Sequence, residues 1–229
     1  MKEKRLRKEK VQLNIIYFTD PLCCWSWLFE PAWRRLRNML HPVLTYQHCM
    51  GGMLPSWDVD NGTANAVKTA VKMGQLWRSA KRESGTYIND QLWSENPPAS
   101  SYPACIAVKS AGMQSLLAEE LYLYKLRRMA LVKGRNIAEK QVLLEAAHEL
   151  EDERPEAFNY DTFLKHLTSQ EVLNLFKNDL KQVRALGISR FPSLLISVKG
   201  KEQAVILSEN CTYDTVMAAI DSLIKKVEA

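Results

Sequence analysis

The chain has 229 residues, enough to bury a sizeable core, and is 46% hydrophobic and 25% charged, the composition of an ordinary globular protein. Its formal net charge of +5 sits mostly at one end, because residues 2–10 carry six Lys or Arg against two Glu; the body is close to neutral, so no nucleic-acid partner is expected. Five cysteines, an odd number in a chain this long, argue against a disulfide scaffold. No apolar run approaches the roughly 20 residues that span a bilayer, so no membrane partner is expected either. The basic start is not followed by a secretory core and cleavage site, and the protein is expected to be cytoplasmic.

Residues 1–10 read as a basic, solvated, disordered tail. An apolar, β-prone strand is predicted over Gln12–Phe18, then the stretch Asp20-Pro21-Leu22-Cys23-Cys24-Trp25-Ser26-Trp27, then a helix over about Cys24–Met39. A second strand runs from Val43 to His48, and Gly51-Gly52-Met53-Leu54-Pro55 is a flexible loop. From about Thr63 to Ala185 the pattern is almost wholly helical. Gly85–Ser100 is a loop within it. Ser101 is placed to cap a helix with Pro103 in its first turn, running from Ala104 to Ala111. Helices follow over Gln114–Val132, Glu139–Leu150, Asp161–His166 and Ser169–Leu186, with Gly134 and Gly187 as stops. Ser193–Val198 and Ala204–Leu207 flank Lys199-Gly200, a hairpin signal. A final amphipathic helix starts near Tyr213, with Val216, Ala219, Ile220 and Leu223 on one face. The ends therefore read β-α-β and β-β-α around a helical middle, which is an α/β domain of residues 11–61 and 186–229 with an all-helical domain, 62–185, inserted into it.

Cys23 is the candidate nucleophile. A cysteine where a strand turns into a helix meets the unsatisfied N–H groups and positive end of the helix, which favour thiolate over thiol, so an exposed turn and a depressed thiol pKa are expected. Ser26 stands three positions on, where a Cys-x-x-Cys site has its second thiol; its hydroxyl is placed to hydrogen-bond the thiolate but cannot displace a mixed disulfide. Trp25 is expected to offer an exposed aromatic surface to a partner, while Trp27, Phe29 and Trp33 are expected in the core. Pro31, inside the helix, removes a backbone hydrogen bond. Phe191-Pro192, just before a strand, is a candidate cis bond, which X-Pro permits. Cys105, in the first turn of the Ser101 helix, is a candidate resolving thiol if that helix end faces Cys23, with a small core residue as the plainer reading. Cys24 is the other candidate resolving thiol, or a packed residue that tunes the site; an adjacent-residue disulfide with Cys23 would be strained. Cys49, Cys211 and His48 show no Cys-x-x-Cys ligand spacing, and no metal is assigned.

These residues resemble the DsbA-like branch of the thioredoxin superfamily, and within it a cytosolic group that includes FrnE-type oxidoreductases and Spx adaptors. The resemblance rests on Asp20-Pro21-Leu22-Cys23 with Trp25, Glu30-Pro31, the segment from Ser101 to Lys109, Arg135-Asn136-Ile137 before Val142-Leu143-Leu144, and Phe191-Pro192. It implies a thioredoxin-like fold with an inserted helical domain, and a Phe191-Pro192 bond that presents the backbone of a protein client or glutathione to the thiol. FrnE-type members cycle through Cys-x-x-Cys, so Ser26 implies single-cysteine chemistry: a mixed disulfide on Cys23, with glutathione as a possible co-substrate and no bound cofactor. The resemblance also implies a non-enzymatic adaptor for the Spx–ClpXP system as an alternative. Kappa-class glutathione transferases and related isomerases share the fold but carry serine at the position of Cys23. No oligomeric state follows from the sequence.

Overall fold

The computed structural model describes residues 11–55, 62–208 and 211–228; the expectation for the basic tail lies outside them. Four strands, β1 (Leu13–Thr19), β2 (Leu44–Met50), β3 (Ser193–Val198) and β4 (Ala204–Ser208), form one sheet in the order β2-β1-β3-β4. The β1–β3 and β3–β4 pairs are antiparallel, with Ile15 opposite Ile196 and Leu194 opposite Leu207. Among the described residues the helices are α1 (Cys24–Leu40), α2 (Gly62–Ser84), α3 (Leu92–Glu95), α4 (Tyr102–Gly112), α5 (Leu116–Leu131), α6 (Lys140–Glu153), α7 (Tyr160–Leu167), α8 (Gln170–Ala185) and α9 (Tyr213–Glu228). This element order is the α/β arrangement expected from the sequence. The single turn of α3 interrupts the predicted 85–100 loop, and it forms because Leu92 and Trp93 are buried. None of these helices is long and apolar enough to cross a membrane.

The chain divides into two compact units. Among the described residues, one comprises those up to Thr19, Leu28–Cys49, and those from Gln182 on. Its inner strand β1 is covered on both faces, whereas alternate residues of the edge strand β4 are exposed. Leu13, Ile15 and Tyr17 of β1 join Leu194, Ile196 and Val198 of β3 on the side of α1 and α9. From α1 that cluster takes Phe29, Trp33, Leu36 and Leu40, spaced four, three and four apart so that one helical face is apolar. From α9 it takes Val216, Ile220 and Leu223. The opposite side of β1, Ile16 and Phe18, packs with Cys49, Val183 and Ile188. Pro31 lies within α1 on its exposed side, where the missing N–H costs least. The peptide bonds His41–Pro42 and Phe191–Pro192 are both cis.

The second unit comprises Asp20–Trp27 and Met50–Lys181. Its core includes the rings of Tyr122, Phe158 and Phe163, with Tyr122 stacked on Phe158 at 5.8 Å and tilted on Phe163 at 4.9 Å. Trp77 meets Trp93 edge to face at 5.4 Å. Small residues of α4, Ala104, Ala107 and Ala111, are fully buried and let its neighbours approach closely. An ion cluster ties α4 to α5 and α8: Lys109 Nζ lies 2.9 Å from Glu119 Oε1 and 3.6 Å from Asp179 Oδ2. Asp179 in turn accepts the Met50 N–H at 2.9 Å, which anchors the exit of β2.

Candidate active site

The chain leaves β1 at Thr19, and the next residue builds the site. Asp20 is fully buried, and a carboxylate taken out of water needs donors. Its Oδ1 accepts the Leu22 N–H at 2.9 Å, and the Cys23 N–H bonds the Asp20 carbonyl at 3.1 Å, so the turn before α1 folds around this residue. Its Oδ2 accepts the Met53 N–H at 2.7 Å, the Ser101 hydroxyl at 2.8 Å and the Cys105 thiol at 3.5 Å. Burial pushes the Asp20 carboxyl up, against the pull of these donors.

The 51–54 loop is lashed to the start of α4 at the same place. Leu54 donates its N–H to Ser101 Oγ at 3.1 Å and accepts the Ser101 N–H at 2.8 Å and the Ser100 hydroxyl at 2.9 Å. Ser101 does not cap its helix as expected: it occupies the position, but no side-chain cap bond forms. Its hydroxyl oxygen accepts the Leu54 N–H instead, while its proton goes to the buried Asp20 carboxylate. Ser100 accepts the Tyr102 N–H at 3.0 Å. Gly52, with φ of +59°, sits where a Cβ would come within 2.7 Å of Leu180 Cδ2 and 2.8 Å of Tyr102 Cε1, so only glycine fits.

Cys23 precedes α1, and the Ser26 N–H donates to its sulfur at 3.4 Å. This is the geometry of an N-cap, with sulfur in place of the usual oxygen. The residue is nevertheless buried, with 4% of its surface exposed, and its thiol is pushed up rather than down. That reverses the exposed, acidic thiol expected from the helix start alone. Burial is the largest cause; the Ser26 hydroxyl and N–H pull the other way, the Asp20 charge adds to the rise, and Arg127 opposes it. Removal from water outweighs the helix terminus here. Trp25, expected to be exposed, is half-buried, as is Trp27, expected in the core; Trp27 lies 5.7 Å from the Tyr124 ring. Burial also drives the Cys24 thiol far up, with the neighbouring Cys23 adding to it, so Cys24 reads as a packed residue.

Cys105 is fully buried. Its thiol is pushed well up, first by burial and then by the Asp20 charge, while the Gly52 backbone and the Ser101 side chain act in the opposite sense. Both Cys23 and Cys105 therefore feel the same carboxylate, and both belong to the unit that contains Asp20–Trp27. All five cysteines are thiols rather than halves of a disulfide. In the other unit, Phe191 is half-buried and Pro192 buried, and the Pro192 carbonyl accepts the Cys211 thiol at 3.5 Å. Among the described residues no group of three or more His, Cys, Asp or Glu is disposed to hold a metal ion.

Two residues of the site, Asp20 and Arg127, are not singled out by the sequence. Asp20 offers a signal in its place, between the end of an apolar strand and Pro21, three positions before Cys23. Arg127 offers none, since a cation on a helix rich in Glu, Lys and Arg reads as solvated.

A thioredoxin family model (Thioredoxin_5) matches residues 17–218. The ClpXP adapter protein SpxH of Halalkalibacterium halodurans is 23% identical over 189 residues, 82% of this chain and 60% of its own length. The chain thus spans about three fifths of that curated relative. A Nitrosomonas europaea structure named for protein disulfide isomerase superposes with a TM-score of 0.77 at 18% identity, covering 94% of this chain and 98% of its own. The cytosolic disulfide reductase DsbM of Pseudomonas aeruginosa gives a TM-score of 0.70 at 21% identity, covering 93% and 98%; DsbM has also been solved with GSH.

Proposed function

We propose that this chain, which belongs to the thioredoxin family, is a cytoplasmic DsbA-like thiol–disulfide oxidoreductase whose nucleophile is Cys23. The observation that carries the reading is the Ser26 N–H donating to the Cys23 sulfur at 3.4 Å, with the Ser26 hydroxyl and Arg127 also favouring the thiolate. A sulfur held against a helix start and influenced by a buried cation is equipped to carry the negative charge of attack and departure. The fold shared with a disulfide reductase, one form of which was solved with GSH, supports the same reading.

In this mechanism the Cys23 thiolate attacks one sulfur of a client or glutathione disulfide. A mixed disulfide forms on Cys23, and the other sulfur leaves with the electron pair and a proton from water. Ser26 has no sulfur with which to displace the bound half, so release needs a thiol from outside the Cys-x-x-Ser motif. Trp25, Phe191 and Pro192 are assigned to the bound partner by resemblance. Burial raises the Cys23 thiol and works against this attack, while the Ser26 hydroxyl and N–H work for it. The test is intact-mass analysis after incubation with oxidised glutathione. Any oxidation product should involve Cys23 and disappear in Cys23→Ser; products unchanged in that variant would end the proposal.

A second reading is favoured by the name of the curated relative, an adapter for ClpXP. Under it the fold serves as a non-enzymatic platform for a protein of the Spx type. Binding of such a partner that survives Cys23→Ser, measured by calorimetry, would support the adaptor; binding that depends on Cys23 would count against it.

A further inference from the structure

Resting on the reading of Cys23 as nucleophile, we infer that Cys105 is the resolving thiol of this site and that Asp20 takes its proton. Three observations carry this. The Cys105 thiol already donates to Asp20 Oδ2 at 3.5 Å, so the proton that must leave is aimed at a base. The accepting oxygen is held in place by the Met53 N–H at 2.7 Å and the Ser101 hydroxyl at 2.8 Å. And the same carboxylate fixes the turn that carries Cys23, through Leu22 N–H on Oδ1. One acid thus touches the second thiol directly and holds the backbone beside the first.

The order of events follows from exposure. Cys23 keeps 4% of its surface in solvent and Cys105 none, so a disulfide arriving from outside meets Cys23 first. Once the mixed disulfide has formed, Cys105 Sγ attacks the Cys23 sulfur. A Cys23–Cys105 bond forms, the bond from Cys23 to the partner's sulfur breaks, and that sulfur leaves with the electron pair. The proton from Cys105 passes to Asp20 and on to the departing thiolate. In sum two protein thiols become one disulfide and the partner's disulfide becomes two thiols; an external thiol such as glutathione reverses the protein's oxidation. The pair replaces a Cys-x-x-Cys loop with one sulfur from the turn before α1, one from α4, and a shared carboxylate.

The test follows the full-length protein after a pulse of oxidised glutathione, by intact mass and peptide mapping. The wild type should lose two hydrogens and carry a Cys23–Cys105 disulfide, with the glutathione adduct only transient. Cys105→Ser keeps a donor for Asp20 and should accumulate a stable adduct on Cys23. Asp20→Asn, checked for folding by circular dichroism, should slow the collapse of the adduct about a hundredfold, the range of a lost general base. A wild-type adduct as stable as that of Cys105→Ser, or a mapped Cys23–Cys24 bond, would overturn the inference and leave Cys23 as nucleophile. Collapse at the wild-type rate in Asp20→Asn would remove Asp20 from the step. Absence of any product on Cys23 in either protein would sink the underlying reading as well.

Discussion

Ser101 Oγ donates to Asp20 Oδ2 at 2.8 Å, across 81 positions of sequence. That bond joins the turn before α1 to the start of α4, and the same hydroxyl oxygen receives the Leu54 N–H at 3.1 Å. Ser101→Ala would take a donor from a buried carboxylate and an acceptor from a buried amide. A loss of about 1–3 kcal/mol is expected, read from the urea unfolding midpoint, whereas a variant as stable as the wild type would mean that water replaces both bonds at no cost.

Asp20 gives stability a pH dependence of defined sign. Its folded value lies above the ordinary 3.8, so between the two the folded chain holds a proton that the unfolded chain has released. Stability from this group is therefore greatest below the ordinary value and declines as pH rises through the folded one. The gap between wild type and Asp20→Asn, measured by urea unfolding from about pH 4 to about pH 8, should move against the wild type as pH rises. A gap that stays constant across this range would show that Asp20 does not titrate differently on folding.

Arg127 is fully buried and opposes the rise of the Cys23 thiol. Arg127→Met keeps most of the bulk and removes the charge. The pH profile of Cys23 alkylation by iodoacetamide should move to higher pH, and the rate at neutral pH should fall. An unmoved profile in a folded variant would detach Arg127 from the thiol.

Gly52→Ala places a methyl group 2.7 Å from Leu180 and 2.8 Å from Tyr102 at a positive φ. Overpacking and backbone strain together should cost about 2–4 kcal/mol, seen as a lower thermal midpoint. An unchanged midpoint would mean that the loop shifts freely.

Local signals wrote the frame of this molecule into its sequence. The apolar, β-prone run to Phe18 announces β1, the spacing of Val216, Ala219, Ile220 and Leu223 announces α9, and Lys199-Gly200 marks the turn between β3 and β4. Ser193–Val198 is found with the boundaries expected of it. The site was legible only in its local part. Cys23 at the head of a helix with Ser26 one turn on is a matter of nearby positions, but burial is not, and it reversed the direction expected for the thiol. Asp20 binds partners 33, 81 and 85 positions away, and no window of sequence contains them. Ser101 shows the same limit from the other side: its capping signal is genuine, yet the distant Leu54 N–H takes its oxygen and the Asp20 carboxylate its proton.

The most direct test of the account is catalysis of thiol–disulfide exchange between reduced glutathione and a glutathionylated peptide, followed for the wild type and Cys23→Ser. The wild type should accelerate deglutathionylation and Cys23→Ser should fall to the uncatalysed rate. Equal acceleration by the two proteins would contradict Cys23 as the working sulfur.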